Sequence, residues 1–286
     1  MNHLRQLSLE FTSLRKSDVQ ILCRCESLKY LISLNVDMNH FESEGVTFIS
    51  ECENMKNLTR LNVYFNGVNS EGVKALTKSP FMAHLTELNL GDNDHLGSES
   101  IECLVQSPFL KELKILDLSE NMIGTAGVKA LTTMTTTIHS SSDSLFIMGC
   151  LNQLTHLNLS FDELCSEDVS LLANCEHLRN LRKLLLRGNS ILSEGVKYLS
   201  ESSCKLRCLE LLDLSENLLD EESVDYFANS ENFQYLTELY VTNDHFLKKK
   251  QDDDLENLCI ILKQSAYLKN LTTVDILNID HSDLQF

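Results

Sequence analysis

Basic residues are scarce in this sequence. Its 24 lysines and arginines stand against 42 aspartates and glutamates, a formal net charge of −18. That excludes a binder of nucleic-acid backbones unless the basic residues gather on one face, and no such face is visible. An acidic surface suits solubility and a basic protein partner. Long apolar runs are also missing. None approaches the roughly 18 residues of a membrane span, and the opening MNHLRQLSLEF lacks the uninterrupted apolar stretch of a signal peptide. Tryptophan is absent, and proline occurs only at Pro80 and Pro108. Both prolines stand in Ser-Pro-Phe, where each reads as a helix stop with the phenylalanine turned inward. The usual catalytic signatures are absent too: no G-x-x-x-x-G-K-[ST], no G-x-S-x-G and no H-E-x-x-H.

Cysteine is not scarce, but its ten copies are scattered and form no dense secreted framework. They read as reduced thiols packed as small apolar groups, so the expected location is the cytosol or nucleus, with cytoplasmic the first choice. Cys23-Arg24-Cys25 and the Cys204–Cys208 segment lack a second Cys/His pair at zinc spacing. His177 beside Cys175 has no further mark of a nucleophile pair. The expectation is no cofactor, no metal and no catalysis. With 43% hydrophobic residues, the chain has ample material for a core.

That material is periodic. A leucine recurs at Leu4, Leu31, Leu58, Leu85, Leu113, Leu154, Leu181, Leu209, Leu236 and Leu271. The spacings are 27 or 28 except for one of 41 and one of 35. The clearest copy, LTRLNVYFNGVNSEGVKAL from Leu58 to Leu76, reads L-x-x-L-x-L-x-x-N-x-L followed by helical spacing. Leu61 and Val63 alternate with Arg60, Asn62 and Tyr64, so a short strand turns every second residue inward. Such a strand needs neighbours, and a parallel sheet with helical crossovers supplies them. The Asn66 position recurs as Asn39, Asn93, Asn121, Asp162, Asn189 and Asn217. These side chains can bond the main chain of the turn leaving each strand, forming a continuous file.

The second half of each repeat has its own pattern. Ser43, Ser70, Ser98, Thr125, Ser166 and Ser193 each stand three residues before an aliphatic residue and read as helix N-caps. Pairs such as Val73 and Leu76 then share one helical face, directed onto the sheet. Gly45, Gly72, Gly127 and Gly195 imply a close backbone approach at that corner. The interval of 41 contains the hydroxyl-rich Thr132–Ser144 and the apolar Leu145–Met148, read together as an inserted surface loop at about 132–148. Lys248–Asp254 reads as a solvated charge run, and residues 271–286, with Ile279 at the asparagine position, as a degenerate closing repeat. No equivalent cap precedes Leu4, so the expectation is either an exposed first strand or a missing N-terminal segment.

These motifs resemble the leucine-rich repeat proteins of the ribonuclease-inhibitor-like subclass. The resemblance covers nearly the whole chain and implies one α/β solenoid domain, residues 1–286, of about ten repeats. It would form a right-handed horseshoe with the parallel sheet on the concave face and helices on the convex face. It also implies a non-catalytic scaffold or recognition module that binds a protein partner on the concave face. Ribonuclease inhibitors suggest an alternative, inhibition of a basic enzyme. Ran GTPase-activating proteins suggest another, although their essential Arg and Asn residues have no match here and Arg60 alone does not supply them. Ubiquitin-ligase receptors of this type carry an adaptor-binding segment, and none precedes Leu4.

Strand alternation assigns the exposed face to the third, fifth and seventh motif positions, with the eighth at its rim. The fifth position is mostly Asn or Asp, which is common repeat grammar. Exposed aromatics beside carboxylates resemble binding hot spots. The candidate partner-binding residues are therefore Asp37, Tyr64, Phe65, Asp92, Asp117, Glu120, Phe161, Arg187, Asp213, Glu216 and Tyr240. Phe161 could instead tuck against the next repeat. The expected molecule is a monomer that contacts neither nucleic acid nor membrane.

Overall fold

The computed structural model describes residues 4–93, 96–133, 150–201, 203–242 and 260–275. Most of the 132–148 insertion, the 248–254 charge run and residues 276–286 lie outside them. The chain divides into two compact units, Met1–Leu154 and Thr155–Phe286.

The first unit has five parallel strands: β1 (Gln6–Ser8), β2 (Ser33–Asn35), β3 (Arg60–Asn62), β4 (Glu87–Asn89) and β5 (Ile115–Asp117). The second has β6 (His156–Asn158), β7 (Lys183–Leu185), β8 (Leu211–Asp213), β9 (Glu238–Tyr240) and β10 (Thr273–Asp275), again parallel. Pairing follows the repeat step, so Leu34 lies beside Leu61 and Leu61 beside Leu88. Helices follow the strands: α1 (Lys16–Cys23), α2 (Glu42–Glu51), α3 (Ser70–Lys78), α4 (Gly97–Val105) and α5 (Gly124–Thr132) in the first unit. The second unit adds α6 (Ser166–Ala173), α7 (Ser193–Ser200) and α8 (Glu222–Ala228). No helix among the described residues is long and apolar enough to cross a membrane.

From the second repeat onward, the described parts of the repeats pack as the spacing predicts. In the third, Leu61, Val63, Val68, Val73 and Leu76 are all buried, strand face against helix face. At ~1.5–3 kcal/mol gross per side chain, that burial is offset by the cost of ordering the chain, so repeats rely on neighbours. The middle residue of β2, β3, β4 and β5 is buried, whereas that of β1 is only half-buried between two exposed residues. Among the described residues β1 pairs with β2 alone.

Two files of polar contacts tie repeat to repeat. The expected amide file is present. Asn39 Oδ1 accepts from Thr12 N and Leu14 N, 3.1 and 2.8 Å, while its Nδ2 donates to Leu9 O and Val36 O. Asn93 and Asn121 act likewise in the first unit, Asn189 and Asn217 in the second. The second file lies behind the helices. Ser107 Oγ donates to Thr77 O at 2.7 Å, Ser230 Oγ to Ser200 O at 2.8 Å and Ser265 Oγ to Ala228 O at 2.6 Å. Ser79 and Cys52 make the same contact to Ser50 O and Cys23 O. Each such residue satisfies a carbonyl at or near the end of the preceding helix, where intrahelical donors run out.

Three local expectations are corrected. The serines expected to be N-caps lie inside the first turn: Ser70, Ser166 and Ser193 are first helical residues, after Asn69, Cys165 and Leu192. Ser43, Ser98 and Thr125 are one residue deeper, after Phe41, Leu96 and Ile123 as the caps. Several reach sideways instead. Ser43 Oγ accepts from Asn69 N, and Ser193 Oγ accepts from Asp220 N at 2.8 Å and donates to Asp220 Oδ1 at 2.6 Å. At the glycine corner the close neighbour is chiefly a side chain, since a Cβ on Gly45 would lie 2.5 Å from Phe41 Cδ2, and backbone comes near only at Gly72, where Ser43 Cα would be 3.2 Å away. In the Ser-Pro-Phe segments Phe81 and Phe109 are half-buried, and the fully buried residues are the next ones, Met82 and Leu110.

Candidate functional site

In the first unit every strand is followed, three residues past its end, by a residue with left-handed backbone. Phe11, Met38, Phe65, Asp92 and Glu120 have φ of 52°, 50°, 48°, 48° and 60°. They are held in register. Phe11 N donates to Asp37 O at 3.0 Å, Met38 N to Tyr64 O at 2.9 Å, Phe65 N to Gly91 O at 3.0 Å and Asp92 N to Ser119 O at 2.8 Å. The chain must reverse there to bring the repeat asparagine beneath the strand ends, and a left-handed residue makes that turn. It also throws the side chain outward onto the rim.

Tyr64, one position earlier, lies flat on the next repeat. A Cβ on Gly91 would be 2.8 Å from its ring, so glycine leaves the bed on which the ring rests. Its hydroxyl donates to Glu120 Oε1 at 3.0 Å, two repeats away. Burial, then the bond and charge of Glu120, then Asp92, hold that hydroxyl above the usual tyrosine range. The Tyr64 and Phe65 rings are 6.5 Å apart. Beside them a groove of about 380 Å³ is lined by Asn39, His40, Glu42, Phe65, Asn66, Gly67, Asp92, Asn93 and Glu120. Of the residues expected from sequence, Phe65, Asp92 and Glu120 meet in this groove and Tyr64 joins them through Glu120.

Asp37 sits on the same face, receiving Asn62 Nδ2 on Oδ2 at 3.3 Å, while its Oδ1 is buried without a partner among the described residues. Burial first, and the charge of Glu10 second, raise its carboxyl above the usual aspartate value. Asp117 Oδ1 accepts from Ser119 N and Oγ, the turn-closing role that Asn62 and Asn89 perform for Tyr64 N and Gly91 N. Among the described residues, none of Asp37, Asp92, Asp117 or Glu120 makes an ion pair.

The second unit satisfies itself more fully. The Phe161 ring does lie on the next repeat, where a Cβ on Gly188 would come within 2.1 Å of it, yet Phe161 stays 42% exposed. The Arg187 guanidinium stands 6.0 Å from that ring and pairs with Glu216 at 2.6 Å. Asp213 Oδ1 accepts from Ser215 N, and Tyr240 donates to Glu238 at 2.8 Å. Burial, then Glu238, pushes the Tyr240 hydroxyl up to about 12.

Burial raises the thiols of Cys23, Cys103, Cys165, Cys175 and Cys204 above the ordinary cysteine value. Burial pushes Cys175 upward, the reverse of what a nucleophile beside His177 needs, and burial with the Cys52 thiol pushes Cys23 up to about 12. No cluster of three or more metal-ligating side chains occurs among the described residues. The site residues missed from sequence are Phe11, Met38 and His40. A step of 27 back from Phe65 reaches Met38, and another reaches Phe11.

Residues 54–76, 81–105 and 111–131 match the leucine-rich repeat family model. This chain is built from leucine-rich repeats. Among solved structures it is similar to the Rad7 and Elc1 complex of yeast, with a TM-score of 0.58, 18% identity, and coverage of 96% of this chain and 70% of that one. An internalin C2 from Listeria monocytogenes is also similar, with a TM-score of 0.46, 20% identity, and coverage of 80% and 76%. No curated protein matches. At these identities the likeness is one of fold. Each unit is an α/β leucine-rich repeat solenoid, its exposed sheet face opposite the helices.

Proposed function

We propose that this leucine-rich repeat chain is a non-catalytic protein-recognition module, and that the sheet face and rim of its first unit hold the partner. The observation that carries this reading is the grouping of Tyr64, Phe65, Asp92 and Glu120. Two aromatic rings stand beside carboxylates that form no ion pair among the described residues, on a frame fixed by inter-repeat bonds. Aromatic anchors flanked by polar groups are the composition of an interface hot spot. In the second unit, by contrast, Arg187 already covers Phe161 and neutralises Glu216. The net charge of −18 favours a basic protein partner over nucleic acid. The ribonuclease-inhibitor-like subclass is supported by the step of 27 or 28 residues and by α-helices of seven to ten residues.

The test begins with capture of partners by the intact chain, identified by mass spectrometry. Surface-plasmon kinetics of the Tyr64→Ala/Phe65→Ala variant then follow against each partner. Loss of two desolvated aromatic anchors should weaken binding by roughly 30-fold or more. Undiminished binding would remove the first-unit face from the reading. Titration of a ribonuclease with the chain separates general recognition from enzyme inhibition.

A further inference from the structure

The first unit exposes seven large apolar side chains among its described residues, and three of them fall at one register. Phe11, Met38 and Phe65 occupy the same left-handed rim position of consecutive repeats and are 81%, 46% and 46% exposed. The next two repeats place Asp92 and Glu120 at that position. Adjacent strands are about 4.8 Å apart, so the five residues form a track of about 19 Å, apolar at one end and acidic at the other. A phenylalanine or methionine gains nothing locally from this site. Left-handed backbone is unfavourable for a residue with a Cβ by roughly 1–2 kcal/mol, and each side chain keeps much of its apolar surface in water. In the second unit the same position holds Phe161, Gly188 and Glu216, and there the Phe161 ring does have cover, lying on Gly188 beside Arg187. A large apolar group at such a position points to burial against something else.

We propose that this rim is a docking track for an extended segment of a basic protein, with apolar residues over Phe11, Met38 and Phe65 and a lysine or arginine between Asp92 and Glu120. An extended chain rises about 3.3 Å per residue, so about six residues span the track. The polarity follows from charge: the groove beside Phe65 is lined by Glu42, Asp92 and Glu120 and by no lysine or arginine. This inference rests on the recognition reading above and deepens it by naming the chemistry and direction of the ligand.

The probe is a random 12-residue peptide display library selected on the immobilised full chain, with enriched peptides then made synthetically, labelled and measured by fluorescence polarisation. The expected consensus has two or more large apolar residues followed within about six positions by lysine or arginine. Phe11→Ser/Met38→Ser and Asp92→Asn/Glu120→Gln should each reduce affinity at least tenfold, and the second variant should also flatten the salt dependence. Phe11, Met38 and Glu120 are exposed and Asp92 is half-buried, glutamine at position 120 can still accept from the Tyr64 hydroxyl, and a cooperative melt of each variant checks that the fold is kept. Enrichment without that consensus, or binding indifferent to both variants, would overturn the track. So would a concentration-dependent dimer in sedimentation that Phe11→Ser/Met38→Ser abolishes, because the occupant would then be a second copy. The variants omit Tyr64 and Phe65 by design. A captured protein that needs Tyr64 and Phe65 while the peptides ignore Phe11 and Met38 would leave the recognition reading standing and remove only this one.

Discussion

Asp37 is a carboxylate placed where the fold gives it little in return. One oxygen meets the Asn62 amide, the other is buried without a partner among the described residues, and Glu10 adds like charge. Burial and Glu10 together raise its folded pKa, so in the window from the ordinary aspartate value up to the raised one the folded chain holds more protons than the unfolded chain. Stability from this group is therefore full below that window and lost as pH rises through it. Asp37→Asn removes the titration and supplies a neutral side chain of the same shape. The variant should be more stable than the parent at neutral pH, with the difference shrinking to nothing as pH falls below the ordinary aspartate range. Paired urea melts across pH test this, and a variant less stable at neutral pH would refute the cause assigned. Tyr64 makes the opposite kind of contact, since its hydroxyl links the third repeat to the fifth through Glu120. Tyr64→Phe keeps the ring on Gly91 and loses the bond, for an expected cost of about 0.5–1.5 kcal/mol. A cost near that of Tyr64→Ala in the same melts would show that the ring contributes nothing.

At the scale of the element, what was legible in the sequence is what the period fixes. A step of 27 or 28 places the counterparts of Leu61, Val63 and Asn66 in like environments along the described interior repeats, so strand, core and the asparagine contacts follow from spacing. The helix starts were less legible because the serine pattern is satisfied across repeats instead of within one. Ser193 reaches Asp220, and Ser43 reaches Asn69, so their spacing to the helix valine reports a neighbour's position and not a cap. The fully buried residue lies one place beyond the phenylalanine of each Ser-Pro-Phe, and at Pro80–Met82 a short turn rotates Met82 inward ahead of Phe81. The rim was only partly legible. Its left-handed backbone has no signature in Phe11 or Met38, and only Gly188 in the same column hints at it. Ser193→Ala should therefore lower stability by about 1–2 kcal/mol through the inter-repeat bond to Asp220. Leu61→Ala, a truncation in the core, should cost about 2–5 kcal/mol. Chemical melts of both variants check the order, and a Ser193→Ala variant as stable as the parent would show that the sideways bond carries nothing.

For the molecule as a whole, the charge of −18 acts on encounter more than on the bound state. Ionic strength near 0.15 M screens beyond about 8 Å, so the charges that steer a partner are those near its landing site. In the first unit these include Asp92, Asp117 and Glu120, none of which has an ion-pair partner among the described residues. Lys74 on α3 instead stands 3.6 Å from Glu71 on the helical side. Reversing Asp92, Asp117 and Glu120 to lysine should slow association with a basic partner and flatten its dependence on salt. Dissociation should change much less than in the Tyr64→Ala/Phe65→Ala variant, because aromatic burial is short-ranged and holds the complex once formed. Lys74→Ala should leave both rates unchanged. One series of surface-plasmon measurements at several salt concentrations separates these effects. If the charge-reversed chain associates as fast as the parent at low salt, the acidic rim does not guide the partner. If Lys74→Ala slows association instead, the helical side is the surface that meets it.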